Sequence, residues 1–379
     1  MIKTIDVWND IDASASVSYF VPANGVGEAQ AILQVEGGNR SFAGQLALLL
    51  EAVDRLTELP RRQAMRPVFK RYFLSDAVNQ IGLIPEEESP CSVSFIQQPP
   101  LNGSKVALWI YFVEGVEVTK ENDFAVVRHN GYEHLWRMGI TSDIGDSHVQ
   151  AESILKDYAV GLEHFGANIA EHCIRTWFFV RDVDIQYNGL VVARREFFEQ
   201  IGLTKDTHYI ASTGIGGVSA SRKAIHQLGT YAVKGLKEEQ IEYLYASDFM
   251  NRTSDYGVTF ERGTKVLYGD RDHIYVSGTA SIDNKGQVVH VGDIYEQTVR
   301  MWANVEAVLR EGGMEWEDVM QIIVYLRDLS DADIVEELFV EKFPDTPFVL
   351  TLASVCRPEW LIEMECVAVR ETKNDFADF

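Results

Sequence analysis

EQTVRMWANVEAVLREGGMEWEDVMQIIVYLRD, residues 296–328, reads as an amphipathic helix, a turn and a short apolar strand that stops at Asp328. Its apolar residues recur at helical spacing before the turn and run continuously after it. Two earlier stretches have the same layout. They are GQLALLLEAVDRL…VFKRYFLSD (residues 44–76) and VQAESILKDYAVGLEHFGANIAEHCIRTWFFVRD (residues 149–182). From the leading Gln to the closing Asp there are 31 positions for Gln45–Asp76, 32 for Gln150–Asp182 and 31 for Gln297–Asp328. The letters match weakly. The matched order and spacing mark an internal repeat, which determines the architecture before any motif is considered.

The repeat extends outward on both sides. After Asp182 comes a second helical pattern (187–202) and the strand-like HYIAS (208–212). After Asp328 come residues 331–343 and the strand-like PFVLTLASV (347–355). The first repeat keeps only a stub of this helix, at 77–83. Each unit closes with another strand: residues 105–113, 223–233 and 360–369. FAVVRHN (124–130) and HIYVSGTASI (273–282) are strands that lead into the long helices. The expected unit is ββ-α-β-α-ββ, an α+β layer with helices on one face of a mixed sheet. Polar, Gly-containing stretches at 115–123 and 247–257 divide the chain into units at 1–120, 121–255 and 256–379. The acidic tail after Arg370 is expected to fray. A chain of 379 residues suits two or three domains of about 150 residues each.

Composition narrows the chemistry. There are 34 basic and 57 acidic residues, a net charge of −23. No basic field would neutralise nucleic-acid phosphates or an anionic membrane surface. A small anionic substrate would need a local cluster of arginines. Four scattered cysteines (Cys91, Cys173, Cys356, Cys366) give neither a disulfide framework nor zinc spacing. The first residues lack the basic and apolar regions of a signal peptide, and no apolar run approaches the roughly 18 residues of a membrane span. The expectation is a cytoplasmic protein with no membrane partner.

The third unit resembles the RidA (YjgF) superfamily. VSGTASI (276–282), the helix and VYLRD quoted above, and IEMECVAV (362–369) carry the resemblance over about 110 residues. Such proteins have a chorismate-mutase-like fold and form trimers with clefts between subunits. Three units in one chain imply a pseudo-trimer within a monomer, with a homo-oligomer as the other possibility. The superfamily's imine deaminases carry a carboxylate-binding Arg two residues after the Pro that opens the penultimate strand. Here that Pro is Pro347 and the residue is Val349. A closer resemblance is to the chorismatases. It rests on SGTASI followed by HVGD (290–293), STGIGG (212–217), YNGLVVARREFF (187–198) and VCRPEWLIEME (355–365).

That resemblance implies cleavage of the enolpyruvyl ether of chorismate, releasing pyruvate with a hydroxybenzoate or a dihydroxycyclohexadiene carboxylate. A carboxylic acid of raised pKa would protonate the methylene carbon. Glu363 is the candidate acid. When the closing strands are aligned on Val113, Val233 and Val369, it falls opposite Ala107 and Gln227, so one cleft of three would be active. Glu365 shares its strand face by the period of two. For the substrate carboxylates the candidates are Arg194 or its neighbour Arg195, with Tyr187, and Arg327 at the end of the third central strand. Arg175, which begins the second unit's central strand, and Arg357, near the turn before Glu363, are further candidate cations. STGIGG, containing Gly214, is either an anion-binding turn or a tight turn between strands. Gly278 and Ala280 would let a ring approach the backbone. Cys356 would mark the hydroxybenzoate-forming branch or be simple packing. For each arginine the plain alternative is a structural ion pair. No metal or organic cofactor is expected. The competing functions are a RidA-type imine or enamine hydrolase, which Val349 disfavours, and a non-catalytic small-ligand-binding protein whose cleft is filled by side chains.

Overall fold

The computed structural model describes residues 1–23, 25–59 and 63–379. The first unit runs β1 (Ile2–Trp8), β2 (Ala13–Phe20), β3 (Gly27–Val35), α1 (Phe42–Glu58), β4 (Met65–Leu74), α2 (Ala77–Gln80), β5 (Ser92–Gln97) and β6 (Val106–Glu114). The second runs β7 (Val118–Glu121), β8 (Phe124–His129), β9 (Tyr132–Thr141), α3 (Ser147–Glu163), α4 (Ile169–His172), β10 (Cys173–Val180), α5 (Val183–Gln200), β11 (Ala211–Gly216), β12 (Val218–Ser219) and β13 (His226–Lys234). The third runs β14 (Ile241–Leu244), β15 (Gly263–Leu267), β16 (Arg271–Ala280), α6 (Ile294–Glu311), β17 (Val319–Leu326), α7 (Ala332–Lys342), β18 (Phe348–Leu352) and β19 (Ile362–Glu371).

Three mixed sheets share one six-strand order, β5-β4-β6-β3-β2-β1, β11-β10-β13-β9-β8-β7 and β18-β17-β19-β16-β15-β14, the first extended by β12 of the second unit beside β5. In each, the pair flanking the second helix is parallel and the rest are antiparallel. This is the expected α+β repeat with one correction. Three strands, not two, precede each long helix. The first unit's leading strands, unread in the sequence, follow the same pattern. The short α2 confirms the stub.

The repeated sequence signals have physical causes. Asp76 and Asp328 accept backbone N–H bonds from the helical turn that follows, as capping residues do. The three leading glutamines are buried ties from the long helix to the closing strand. Gln45, Gln150 and Gln297 accept from the N–H of Lys105 (2.6 Å), Ile225 (2.7 Å) and Leu361 (2.9 Å). Each glutamine also donates to a carbonyl in the loop before its own helix, those of Gly37, Gly145 and His290.

Sheet edges meet in a ring. The N–H of Met138 on β9 bonds Ser92 Oγ at the start of β5 (2.8 Å). That of Ser212 on β11 bonds Ser277 Oγ on β16 (2.9 Å). Leu352 and Leu350 of β18 bond Pro99 and Leu101 just after β5, returning the third sheet to the first. Helices cover the outer faces, and the inner faces merge into one core containing residues of all three sheets. The sheets thus form a pseudo-trimer within the chain. The tail is packed rather than frayed. Asn374 and Ala377 bond the backbone of Gly269, and Phe379 is buried against His129, His134 and Tyr268.

Candidate active site

Strand register tests the alignment made on valines. Ala107 pairs with Phe73, Gln227 with Phe179 and Glu363 with Tyr325, at matching positions of the three sheets. The three inter-sheet clefts therefore differ at one equivalent point. Between the first and second sheets Gln227 donates to Ser94 (3.0 Å). Between the third and first, the equivalent residues are Ala107 and Val349, both fully buried. Between the second and third, Glu363 faces an open cavity of about 320 Å³.

The cavity is walled by α5, β11, β16, the segment 258–262 and the loop leading into β19. Two local features make room for the acid. In the pairing of β16 with β19, Ser277 and Gly278 together oppose Glu365, a bulge that re-aims the strand beside a site. A Cβ built at Gly278 would collide with Glu363 Oε1. The glycine is thus required by close approach, with a carboxylate occupying the space a ring was expected to use. Ala280 pairs with Glu363 across the strands and lines the cavity.

Glu363 is 4% exposed. Burial pushes its pKa from 4.5 up to about 8, with the neighbouring Glu365 adding to the rise and Arg175 and Arg262 opposing it. The carboxyl therefore carries its proton at neutral pH. Glu365, two residues on, is not in the cavity. It accepts from Arg175 (2.8 Å), Trp177 Nε1 (2.7 Å) and Thr213 Oγ1 in the core. Arg175 is consumed in that pair and does not face the cavity.

The open choice between adjacent arginines is decided by helix geometry. Arg194 is buried and lines the cavity, donating to Thr259 (3.0 Å) and Ser212 (3.4 Å). Arg195, about 100° further round α5, is exposed on the outside. Tyr187, two turns before Arg194, lines the same wall with its ring against Gly214. Arg327 is a correction. It bonds Asp184 with two nitrogens (2.9 and 3.0 Å) and the carbonyl of Val355, so it braces the wall from behind and is not among the lining residues. STGIGG is also corrected. It is the parallel strand β11, with its backbone groups in the sheet ladder, neither a nest nor a turn. Gly214 still lines the cavity.

Cys356 lines the cavity, its thiol pushed up to about 12 by burial and then by Glu363. It is a neutral wall group, not a nucleophile. Arg357 lines the mouth, stacked on Trp360 at 4.6 Å and donating to the Gly286 carbonyl. Sequence reasoning missed Arg262 and Phe260. Arg262 lines the cavity, donates to the Asn251 carbonyl (3.0 Å) and lies 5.5 Å from the Phe260 ring. Arg194 stands over the other approach to that ring at 6.0 Å. The wall comes from residues just after the stretch read as a unit boundary (247–257), and no motif there signalled it.

Fold and site together define an α+β protein of three fused RidA-like units, with one carboxylic acid placed in one of three equivalent clefts. The family model described as endoribonuclease L-PSP matches residues 265–370. A RutC family protein of Pyrococcus abyssi is 37% identical over 100 residues, covering 26% of this chain and 79% of that relative. The chain belongs to the RutC family. It is also similar to a 3-hydroxybenzoate synthase of Streptomyces hygroscopicus, 27% identical over 229 residues, 55% of this chain and 66% of that protein. A chorismatase crystal structure shares the fold along nearly the whole chain, with TM-score 0.65, 15% identity, and coverage of 91% of this chain and all of the other.

Proposed function

We propose that this chain cleaves the enolpyruvyl ether of chorismate and releases pyruvate. The observation that carries the reading is Glu363, a buried carboxylic acid that holds its proton at neutral pH and faces a cavity flanked by arginines. Glu363 protonates the methylene carbon of the vinyl ether. The resulting oxocarbenium ion then either takes up water or loses its pyruvyl group to an internal nucleophile. Arg194 and Arg262 receive the substrate carboxylates, since a planar guanidinium binds a carboxylate by two parallel bonds. Phe260 and Ala280 offer apolar surface to the ring. The cavity is at the small end of the roughly 300–1,000 Å³ usual for small-molecule sites. The likeness to a 3-hydroxybenzoate synthase, together with Cys356, favours a hydroxybenzoate product. The divisions near residues 120 and 255 remain our proposed unit boundaries.

Val349, buried and apolar where the imine deaminases carry their cation, speaks against imine hydrolysis. The open cavity with Arg194 and Arg262 beside Glu363 speaks against a filled, non-catalytic cleft. The test is incubation of the purified protein with chorismate, with enzymatic detection of pyruvate and chromatography of the aromatic product. Pyruvate release that disappears in Glu363→Gln is expected. No pyruvate at high protein concentration, or an undiminished rate in Glu363→Gln, overturns the reading.

A further inference from the structure

Inside the ring of sheets, next to the cavity but outside it, lies a second charged cluster that the proposed chemistry does not use. It is built from one residue of each sheet. Arg71 comes from β4, Arg175 from β10 and Glu365 from β19, and all three are at most 2% exposed. Arg175 Nη2 is 2.8 Å from Glu365 Oε2, and Arg71 Nη1 is 3.8 Å from Oε1. Arg71 lies 4.9 Å from the rings of Trp109, Trp177 and Phe179, and none of its three nitrogens has a hydrogen-bond partner. A cation buried this way costs stability, offset only in part by its attraction to Glu365 and the surrounding rings.

The cluster breaks the threefold pattern as Glu363 does. The strand positions equivalent to Glu365 hold Trp109 and Gly229. Those equivalent to Arg71 hold Trp177 and Ile323, and those equivalent to Arg175 hold Phe69 and Gln321. Only the third closing strand carries two acids spaced two residues apart. Being two residues apart on one strand, Glu363 and Glu365 point to the same face with Cα atoms about 7 Å apart. Glu365 accepts from three donors, one of them the Arg175 guanidinium, whereas Glu363 faces the cavity without an ion pair within 4 Å among the described residues. Two carboxyl groups this close in a dry core do not both ionise readily, so fixing the charge on one fixes the proton on the other.

We propose that Glu365 is a positioning residue, a buried anion that keeps Glu363 in its proton-carrying form, and that Arg71 of the first sheet sets the strength of its field. The first unit, which has Ala107 at the position equivalent to Glu363, thereby takes part in the one site. The inference rests on the reading of Glu363 as the acid. The other groups facing the pair are Tyr325 from β17, Arg262 and Arg194 from the cavity wall, Tyr187 from α5, and Cys356 and Arg357 from the loop before β19.

The readout is the infrared carbonyl band of the protonated Glu363 carboxyl, identified by its loss in Glu363→Gln and titrated with pH in the full chain. In Glu365→Gln the midpoint moves down by about one pH unit or more, because the neighbouring anion is gone and both arginines remain. In Arg71→Met it moves up, because the anion is less neutralised. A purely structural role would not move the two midpoints in opposite directions. An unmoved midpoint in Glu365→Gln overturns the inference. If that variant does not fold, Arg71→Met decides, and a midpoint unmoved or lowered there overturns it. The band titrates without substrate, so failure here is separate from failure of the proposed function, which Glu363→Gln and the pyruvate assay test.

Discussion

Gly278 and Glu363 face each other across the bulge in β16 with no room for a methyl group between them. The same bulge occurs in the second unit, where Met138 and Gly139 oppose Gly229, but there the neighbouring closing-strand residue is Gln227. A backbone device common to two units thus stands beside a buried carboxyl in one. Gly278→Ala should displace the Glu363 carboxyl while leaving the sheet paired. Pyruvate release is expected to fall by about 10²-fold, the usual cost of misplacing a reacting group by an ångström. Steady-state rates beside an unchanged circular dichroism spectrum check this.

In the proposed reaction the acid would set a pH limit. Only the protonated form of Glu363 donates, and its pKa is raised to about 8. The rate kcat/KM should hold through neutrality and fall about tenfold per pH unit above about 8. A profile that instead falls above about 4.5 would show an ordinary exposed carboxyl. Chorismate turnover measured across that range decides.

The same shift has a stability consequence of definite sign. The folded pKa lies above the unfolded value of 4.5, so the contribution is fully present below pH 4.5 and is lost as pH rises through about 8. The shift corresponds to at most about 5 kcal/mol, and a few kcal/mol is the realistic scale. Glu363→Gln, which does not titrate, should therefore gain stability relative to the parent as pH rises from about 5 to about 9. Urea unfolding at both ends of that range measures the difference.

Arg194 is the cation whose side of α5 the fold selects. Arg194→Met should raise KM about 10- to 150-fold, from loss of about 1.5–3 kcal/mol of charge-assisted bonding, with a smaller effect on kcat. Arg195→Met, on the exposed face, should change neither. A KM unmoved by the first substitution would remove Arg194 from substrate binding.

The glutamine ties predict stability effects apart from activity. Gln297→Leu leaves the Leu361 N–H and the carbonyls of His290 and Glu359 without their partner. A loss of about 1–3 kcal/mol is expected, the scale of an unsatisfied buried polar group. Gln45→Leu and Gln150→Leu should behave alike, because each tie is the same joint. Thermal unfolding of the three variants compares them.

The sequence by itself determined the repeat, the order of most elements and the register position of Glu363. These are local or periodic properties. Helical spacing, the strand that stops at an Asp, which caps the next turn in the first and third units, and the leading Gln recur at fixed intervals because each unit solves the same packing problem. The alignment of Glu363 with Ala107 and Gln227 was legible for the same reason, since equivalent strands keep equivalent registers. Side-chain direction and long-range partnership were not legible. Whether Arg194 or Arg195 faces inward depends on the rotation of α5 against the third unit. Arg327 and Arg175 lie near the site in the chain, yet their charges are taken up by Asp184 and Glu365, 143 and 190 residues away. Arg262 reaches the cavity from a stretch with no motif, and Arg71 meets Glu365 from the other side of the ring of sheets. Only the tertiary structure decided these, because a charge buried in a low-dielectric core is governed by what surrounds it in space, and its surroundings come from all three units.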